Sequence, residues 1–180
     1  MLDRQELFKK LRIALFDKFS QLQVDGINAI LDECEVQKVT DLKHIAYIFG
    51  TAYHEGFDFN GKATGKIQRL VPIIEGGSKA YLKSKKYFPH YGRGYVQLTW
   101  DFNYKKYSKL LGIDLMNNPD LLLDVKTSAF VIVHGMRTGA FTGKKLSDYQ
   151  SFVPMRAIVN GKDKASLIAS YANGFLTALK

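Results

Sequence analysis

Apolar residues recur at helical spacing through most of the chain. Between Gln5 and Phe19, a stripe of Leu7, Leu11, Ala14 and Leu15 is widened by Phe8, Phe16 and Phe19. That spacing predicts an amphipathic helix over the whole segment. A second helix is predicted from Asp25 to Glu35, with Ile27, Ile30, Leu31 and Cys34 inward and the acidic Asp32, Glu33 and Glu35 in solvent. Thr40 or Asp41 can cap a third, whose stripe is Ile45, Ile48, Phe49 and Ala52. The stripe then places Glu55 at the end of the buried face, with Gly56 as a stop. Further on, helices are predicted over Tyr104–Leu111, with Tyr107, Leu110 and Leu111 inward, and over Leu121–Met136. The second of these is strongly apolar, with Val125, Ala129, Ile132, Val133 and Met136 on one side and Phe130 widening it. A last helix carries Ile168, Tyr171, Ala172 and Phe175, with Asp163 as its expected cap.

The middle of the chain breaks this rhythm. Phe57–Leu70 is rich in Gly, Lys and Thr and reads as an exposed loop. Val71–Gly77 is a short apolar run interrupted by Pro72 and ended by two glycines, and Ser78–Phe88 is a basic segment with a short helix. Then comes His90-Tyr91-Gly92-Arg93-Gly94-Tyr95-Val96-Gln97-Leu98-Thr99-Trp100. The glycines on either side of Arg93 predict a turn. Tyr95–Trp100 alternates as a short strand, Val96 and Leu98 on one face, Gln97 and Thr99 on the other. A solvated strand face more often carries Lys or Glu. Gln, Thr and Asn among aromatic rings suit a site that reads hydroxyl and amide groups, as on a sugar. An ordinary edge strand with incidental polar residues fits the same letters.

Composition limits the setting. The chain has 180 residues, 46% of them apolar, which suits one domain with a real core. We expect a single catalytic domain over residues 1–180, because no linker, repeat or low-complexity stretch marks off a wall-binding module. No apolar run is long enough to cross a membrane, and Met1–Glu6 shows no signal-peptide pattern. The expectation is synthesis in a cytoplasm. The single Cys34 excludes an internal disulfide and reads as core, and the four His show no zinc-ligand spacing. The net charge of +9 is uneven. From Lys62 to Arg93 eight basic residues face Glu75 alone, whereas Met1–Gly61 is net acidic. Such a basic surface implies a polyanionic partner.

Two carboxylates stand out. Glu55, half out of water at its helix end, has the setting that favours a protonated general acid. It serves equally as an ion-pair partner holding two lobes together. Glu75, among cations, is kept ionised, and two carboxyls pushed in opposite directions make an acid/base pair. An ordinary salt bridge from Glu75 to Lys79 or Arg93 is the other reading. His54 is expected to be a structural hydrogen-bonder rather than a ligand.

Thr51-Ala52-Tyr53-His54-Glu55, Tyr91-Gly92-Arg93-Gly94-Tyr95-Val96-Gln97-Leu98-Thr99-Trp100 with Asn103-Tyr104, Asn117–Leu121, and Ile158-Val159-Asn160-Gly161 together resemble glycoside hydrolase family 19. That family holds plant-type chitinases and many phage endolysins. The resemblance runs from about Asp41 to Gly161. It implies a mainly α, lysozyme-like, two-lobed fold with a small β element and a central cleft. It also implies inverting hydrolysis of β-1,4-linked N-acetylated sugars with neither metal nor cofactor. Carried over by position, Glu55 is the general acid, and Glu75 falls near the second carboxylate in a shortened segment. Thr99 would hold the attacking water, and Gln97, Asn103 and Asn160 would bond sugar or water. Tyr91 and Arg93 would shape the cleft, Arg93 from a structural position. Lacking a leader and disulfides, the chain resembles the endolysin branch more than a secreted chitinase. The expected substrate is peptidoglycan at the cell wall or periplasm, reached with a membrane-permeabilising partner. A chitinase, or a non-catalytic glycan- or nucleic-acid-binding protein, is the alternative. The basic 62–93 stretch would meet the anionic envelope. Nucleic acid is not an expected partner, and a monomer is expected.

Overall fold

The computed structural model describes residues 2–180 and is mainly helical. Seven α-helices are present among the described residues: α1 (Arg4–Ala14), α2 (Gln21–Val36), α3 (Leu42–Glu55), α4 (Lys79–Lys83), α5 (Asp101–Leu111), α6 (Val125–Thr138) and α7 (Ala165–Leu179). Two very short strands, β1 (Ile73–Ile74) and β2 (Arg93–Gly94), pair antiparallel with Ile73 opposite Gly94 and Ile74 opposite Arg93. This is the lysozyme-like helical arrangement with a small β element.

One contiguous core draws side chains from α1, α2, α3, α5, α6 and α7. Its main seams are α3 on α7 and α2 on α6. In α3, Ile45, Ile48, Phe49 and Ala52 are buried as their spacing predicts. Phe49 stacks on Phe175 of α7 at 5.1 Å, and each such ring adds roughly 1.5–3 kcal/mol by leaving water. The two helices meet closely because Gly50 has no Cβ, which would stand 2.9 Å from the Ala172 backbone nitrogen. Cys34 is buried in this core.

Helix limits follow local capping chemistry more closely than the apolar stripe. The α1 helix stops at Ala14 rather than Phe19: the Phe16 amide reaches back to the Leu11 carbonyl, and the chain turns. Phe16 and Phe19 then pack together in the following loop, with Phe16 against Tyr53 and Phe175. The α2 helix begins before Asp25 because Ser20 and Gln23 form a reciprocal capping box. Its acidic end is exposed as expected, and Arg4 pairs there with Asp32 and Glu35. The predicted Leu121–Met136 helix is split. Pro119–Leu123 forms a tight 3-10 turn, and Asp124 accepts the Thr127 amide to start α6. The α5 helix starts at Asp101 and buries Tyr104 and Tyr107, while Leu110, expected inside, is 47% exposed. Asp163 does not cap α7. Lys164, in the left-handed region, precedes that helix, and the Asp163 carbonyl is taken by Arg156.

The strand expected over Tyr95–Trp100 is a turn instead. Gln97 and Trp100 both have positive φ, which no continuous strand tolerates. The chain folds back so that Arg93 and Leu98 exchange both backbone hydrogen bonds. Alternation survives nonetheless: Val96 and Leu98 are buried while Gln97 and Thr99 stay half-exposed. The Phe57–Leu70 loop is ordered from within by buried Asp58, whose Oδ2 accepts from the Ala63 and Thr64 amides and the Thr64 hydroxyl.

Arg93 is the polar anchor of this corner. It is 3% exposed and donates to Asp120, to the Pro89 and Tyr91 carbonyls and to the Tyr104 hydroxyl, and its guanidinium carbon lies 3.9 Å from the Tyr91 ring centroid. Replacing it strands several buried acceptors, each costing about 1–3 kcal/mol. Arg93→Met is therefore expected to destabilise the protein by at least about 2 kcal/mol in urea unfolding. A change within error would show that water replaces the guanidinium without loss.

Candidate active site

The candidate site begins where α3 ends. Glu55 is its last residue, and Gly56 leads straight back toward β1, its carbonyl accepting the Val71 amide. Four residues beyond Val71, Glu75 leaves β1. One backbone link thus ties the segment after the first carboxylate to the segment before the second.

Glu55 is 19% exposed and its Oε1 accepts from Arg156 Nη1 at 2.7 Å. Arg156 itself is 4% exposed, and its Nε donates to the Asp163 carbonyl. Oε2 of Glu55 accepts no hydrogen bond among the described residues. The ion-pair reading of Glu55 is thus realised, and one oxygen is left over. Arg156 is the neighbour of Glu55 that sequence reasoning missed. It lies 101 positions away, and nothing in the local spacing of Pro154–Ile158 marks it as facing Glu55.

Glu75 makes no ion pair with Lys79 or Arg93; Arg93 is taken by Asp120. Instead Oε1 accepts the Tyr87 hydroxyl at 2.8 Å and Oε2 accepts the Gly92 amide at 2.9 Å, while its own amide donates to the Gly92 carbonyl. Partial burial and the adjacent Glu75 charge push the Tyr87 phenol up to about 12, so it stays a donor at neutral pH. Gly92 leaves room for this approach. A Cβ on it would stand 2.8 Å from Gln97 Oε1 and 3.3 Å from Glu75 Cβ. Gln97 and Glu75 are therefore neighbours across a glycine.

The polar residues of the turn divide into two kinds. Gln97 uses its amide nitrogen on the Ile73 and Gly94 carbonyls, bracing the β1–β2 pair. Asn103 donates to the Thr99 carbonyl and closes the start of α5. The Thr99 hydroxyl makes no hydrogen bond among the described residues. Gln97, Thr99 and Asn103 line one pocket of about 250 Å³ together with Trp100, Phe102 and Val159. Trp100 and Phe102 stack at 6.1 Å and are both exposed, a flat apolar face of the kind that sugar rings stack on. Glu75 lines a second pocket of about 580 Å³, with Asp58, Phe59 and Lys62. Glu55 and Asn160 line neither. Asn160 is exposed, its side chain accepts from the Gly161 amide, and its own amide donates to the Arg156 carbonyl. Tyr91 is half-buried over Arg93, which lies wholly behind the surface.

A carboxylate on a helix end, a second on a braced loop, free polar groups and an exposed aromatic face are ingredients that a glycoside hydrolase site would use. The glycoside hydrolase family 19 model, chitinase class I, matches residues 40–138, more than half of the chain, and the protein belongs to that family. Among curated proteins, Endochitinase 1 of Theobroma cacao is 50% identical over 46 residues, 26% of this chain and 13% of that protein. The Inactive chitinase-like protein 1 of Hevea brasiliensis is 48% identical over 46 residues, 26% of this chain and 14% of that protein. The chain thus spans about one-seventh of the curated relatives it matches, and this short similarity includes an inactive protein. The fold likeness is broad. A bacterial family 19 chitinase superposes with a TM-score of 0.62 at 22% identity, covering 95% of this chain and 93% of that one. Chitinase C from Streptomyces griseus HUT6037 gives 0.61 at 19%, covering 99% and 92%.

His54, beside the candidate acid, is not the hydrogen-bonder expected, since its buried Nδ1 has no partner among the described residues. Burial lowers its pKa below 6.5; nearby Glu55 and Asp163 oppose this, and Arg156 and Arg69 reinforce it. His134 is lowered too, by burial and by Arg137 and Lys106. Below 6.5 the unfolded chain takes up protons that these folded imidazoles refuse. Their contribution to stability is full above that value and is lost as pH falls through it. The urea midpoint is expected to fall between about pH 7.5 and 5, and His54→Gln to flatten part of that slope. An unchanged slope would assign the effect elsewhere.

Proposed function

We propose that the protein hydrolyses β-1,4 glycosidic bonds of bacterial peptidoglycan, as an endolysin does, by an inverting mechanism. The observation that carries the chemistry is the unpartnered Oε2 of Glu55, on a carboxyl whose other oxygen is fixed by a buried arginine. A proton taken up there from water once the Arg156 contact opens passes to the leaving sugar oxygen, while Glu75 takes one from the attacking water. In this reading Arg156 orients Glu55 in the resting enzyme, and the contact loosens as a sugar enters. Glu75 acts as the base, kept in place by Tyr87 and Gly92, and its negative charge stabilises the oxocarbenium-like transition state. Inversion needs a water between base and sugar, and so a carboxyl separation of roughly 6.5–9.5 Å. The free Thr99 hydroxyl helps hold that water. Trp100 and Phe102 give the sugar a stacking face, while the side-chain oxygens of Gln97 and Asn103, whose nitrogens are spent on the backbone, accept from its hydroxyls and Asn160 offers its amide nitrogen.

Charge supports peptidoglycan over a neutral polymer. Lys79, Lys83 and Lys86 on and after α4 are exposed, and together with the rest of the 62–93 stretch they meet an anionic envelope. The second reading, a chitinase, is favoured by the names of the curated relatives, which are mostly endochitinases.

Reducing ends released from purified peptidoglycan and from chitin oligomers separate the two. On the preferred substrate Glu55→Gln is expected to lower turnover by roughly 10²–10⁴-fold with the circular dichroism spectrum unchanged. Glu75→Gln is expected to cost at least about tenfold. Full turnover by Glu55→Gln would remove its role as acid, and higher turnover on chitin would replace the substrate.

A further inference from the structure

A third pocket, of about 600 Å³, lies between the α1–α2 loop and the 57–69 loop. Its walls include Phe19, Tyr53 and Phe57, and its charges are Lys18, Lys66 and Arg69 against Asp17. Arg69 is the built part. Its guanidinium lies 3.7 Å from the Phe57 ring centroid, 5.2 Å from that of Tyr53 and 5.4 Å from that of Tyr171. Its Nη1 donates to the Tyr53 carbonyl, and its own carbonyl is held by buried Gln23. No carboxylate reaches it within ion-pair distance among the described residues. A half-buried guanidinium held by three rings, with N–H groups left over and no anion of its own, is prepared to receive a planar anion.

Position narrows the choice of anion. Tyr53 and Glu55 are two residues apart on α3, so they point to opposite sides of its last turn. Glu55 is not among the residues lining the pocket, so a sugar strand bound at Glu55 would reach it through a branch rather than along its backbone. Four extended residues span up to about 14 Å, against a helix diameter of roughly 10–12 Å. Chitin has no such branch, whereas peptidoglycan carries peptides with free carboxylates. Part of the pocket, Lys18 and Phe19, also lies outside residues 40–138, the span matched by the family.

We infer that this pocket is a subsite for a carboxylate of the peptide side chains of peptidoglycan, with Arg69 as the recognising residue. The inference rests on the peptidoglycan reading above and gives it a second determinant away from the acid. Binding of a soluble disaccharide–tetrapeptide to the Glu55→Gln protein tests it by calorimetry, beside its methyl-esterified form. The free acid is expected to bind roughly tenfold tighter than the ester. Adding Arg69→Gln should erase that preference, and Arg69→Lys should restore part of it. Melting temperatures of both variants check that the loop is intact. If Arg69→Gln unfolds the loop, Lys18→Gln/Lys66→Gln is expected to halve the preference or more. Equal binding of acid and ester, or a preference that survives every variant, overturns the subsite. Lysis of purified walls by the wild-type protein is scored separately, so loss of the subsite leaves the proposed reaction standing or falling by itself.

Discussion

A single buried ion pair, Arg156 with Glu55, joins parts of the chain 101 positions apart and sets the geometry of the candidate acid. Taking both charges out of water costs several kcal/mol per ion, and the short contact offsets this only with well-placed additional hydrogen bonds. Arg156 has one such bond, from Nε to the Asp163 carbonyl. The net gain in stability is therefore small. The same arginine, through its carbonyl, accepts the Val159 and Asn160 amides. Glu55 and the Asn160 turn consequently inherit their relative placement from one residue. Any movement of the 3-10 turn at Pro154–Ile158 moves both.

The corner at Gly92–Thr99 is organised by the opposite device. There the polar side chains are turned inward to satisfy the backbone, since a chain that abandons strand geometry after two residues leaves carbonyls without partners. Gln97 takes two of them and Asn103 a third; Arg93 takes two more from the other side. Thr99, Trp100 and Phe102 are left facing the pocket because everything around them is already tied. Rigidity of this kind suits a site that must present groups to a sugar without rearranging.

The helices were readable because their buried faces repeat at 3.6 residues, and α3 shows why: Ile45 through Ala52 pointed to Glu55 directly. Their ends were less so. Phe16 and Phe19 continue the α1 stripe in spacing but pack from a loop, and the Asp124 cap that splits the Leu121–Met136 run is a local side-chain bond competing with periodicity. The central turn misled for a related reason. Tyr, Val, Thr and Trp favour strand, yet the positive φ of Gln97 and Trp100 is a tertiary demand that propensity does not encode. At the site, the carboxylates stood out by position and charge. Their partners, Arg156 and Tyr87, did not, because a contact across 101 or 12 positions has no period.

Charge and fold answer different questions about this molecule. Three arginines hold acidic partners: Arg4 holds Asp32 and Glu35, Arg93 holds Asp120, and Arg156 holds Glu55. Lysines behave otherwise. Among the described residues only Lys9 forms an ion pair, and it is exposed. The lysine excess therefore projects into solvent largely unpaired and carries most of the net charge of +9. Such a field does nothing for the bond-breaking step, which depends on groups within a few ångströms. Nor does it help capture an uncharged polymer. Over a Debye length of roughly 8 Å it raises the local concentration of a polyanion only. A family 19 scaffold carrying this field is thus suited electrostatically to hold an anionic polymer near its surface.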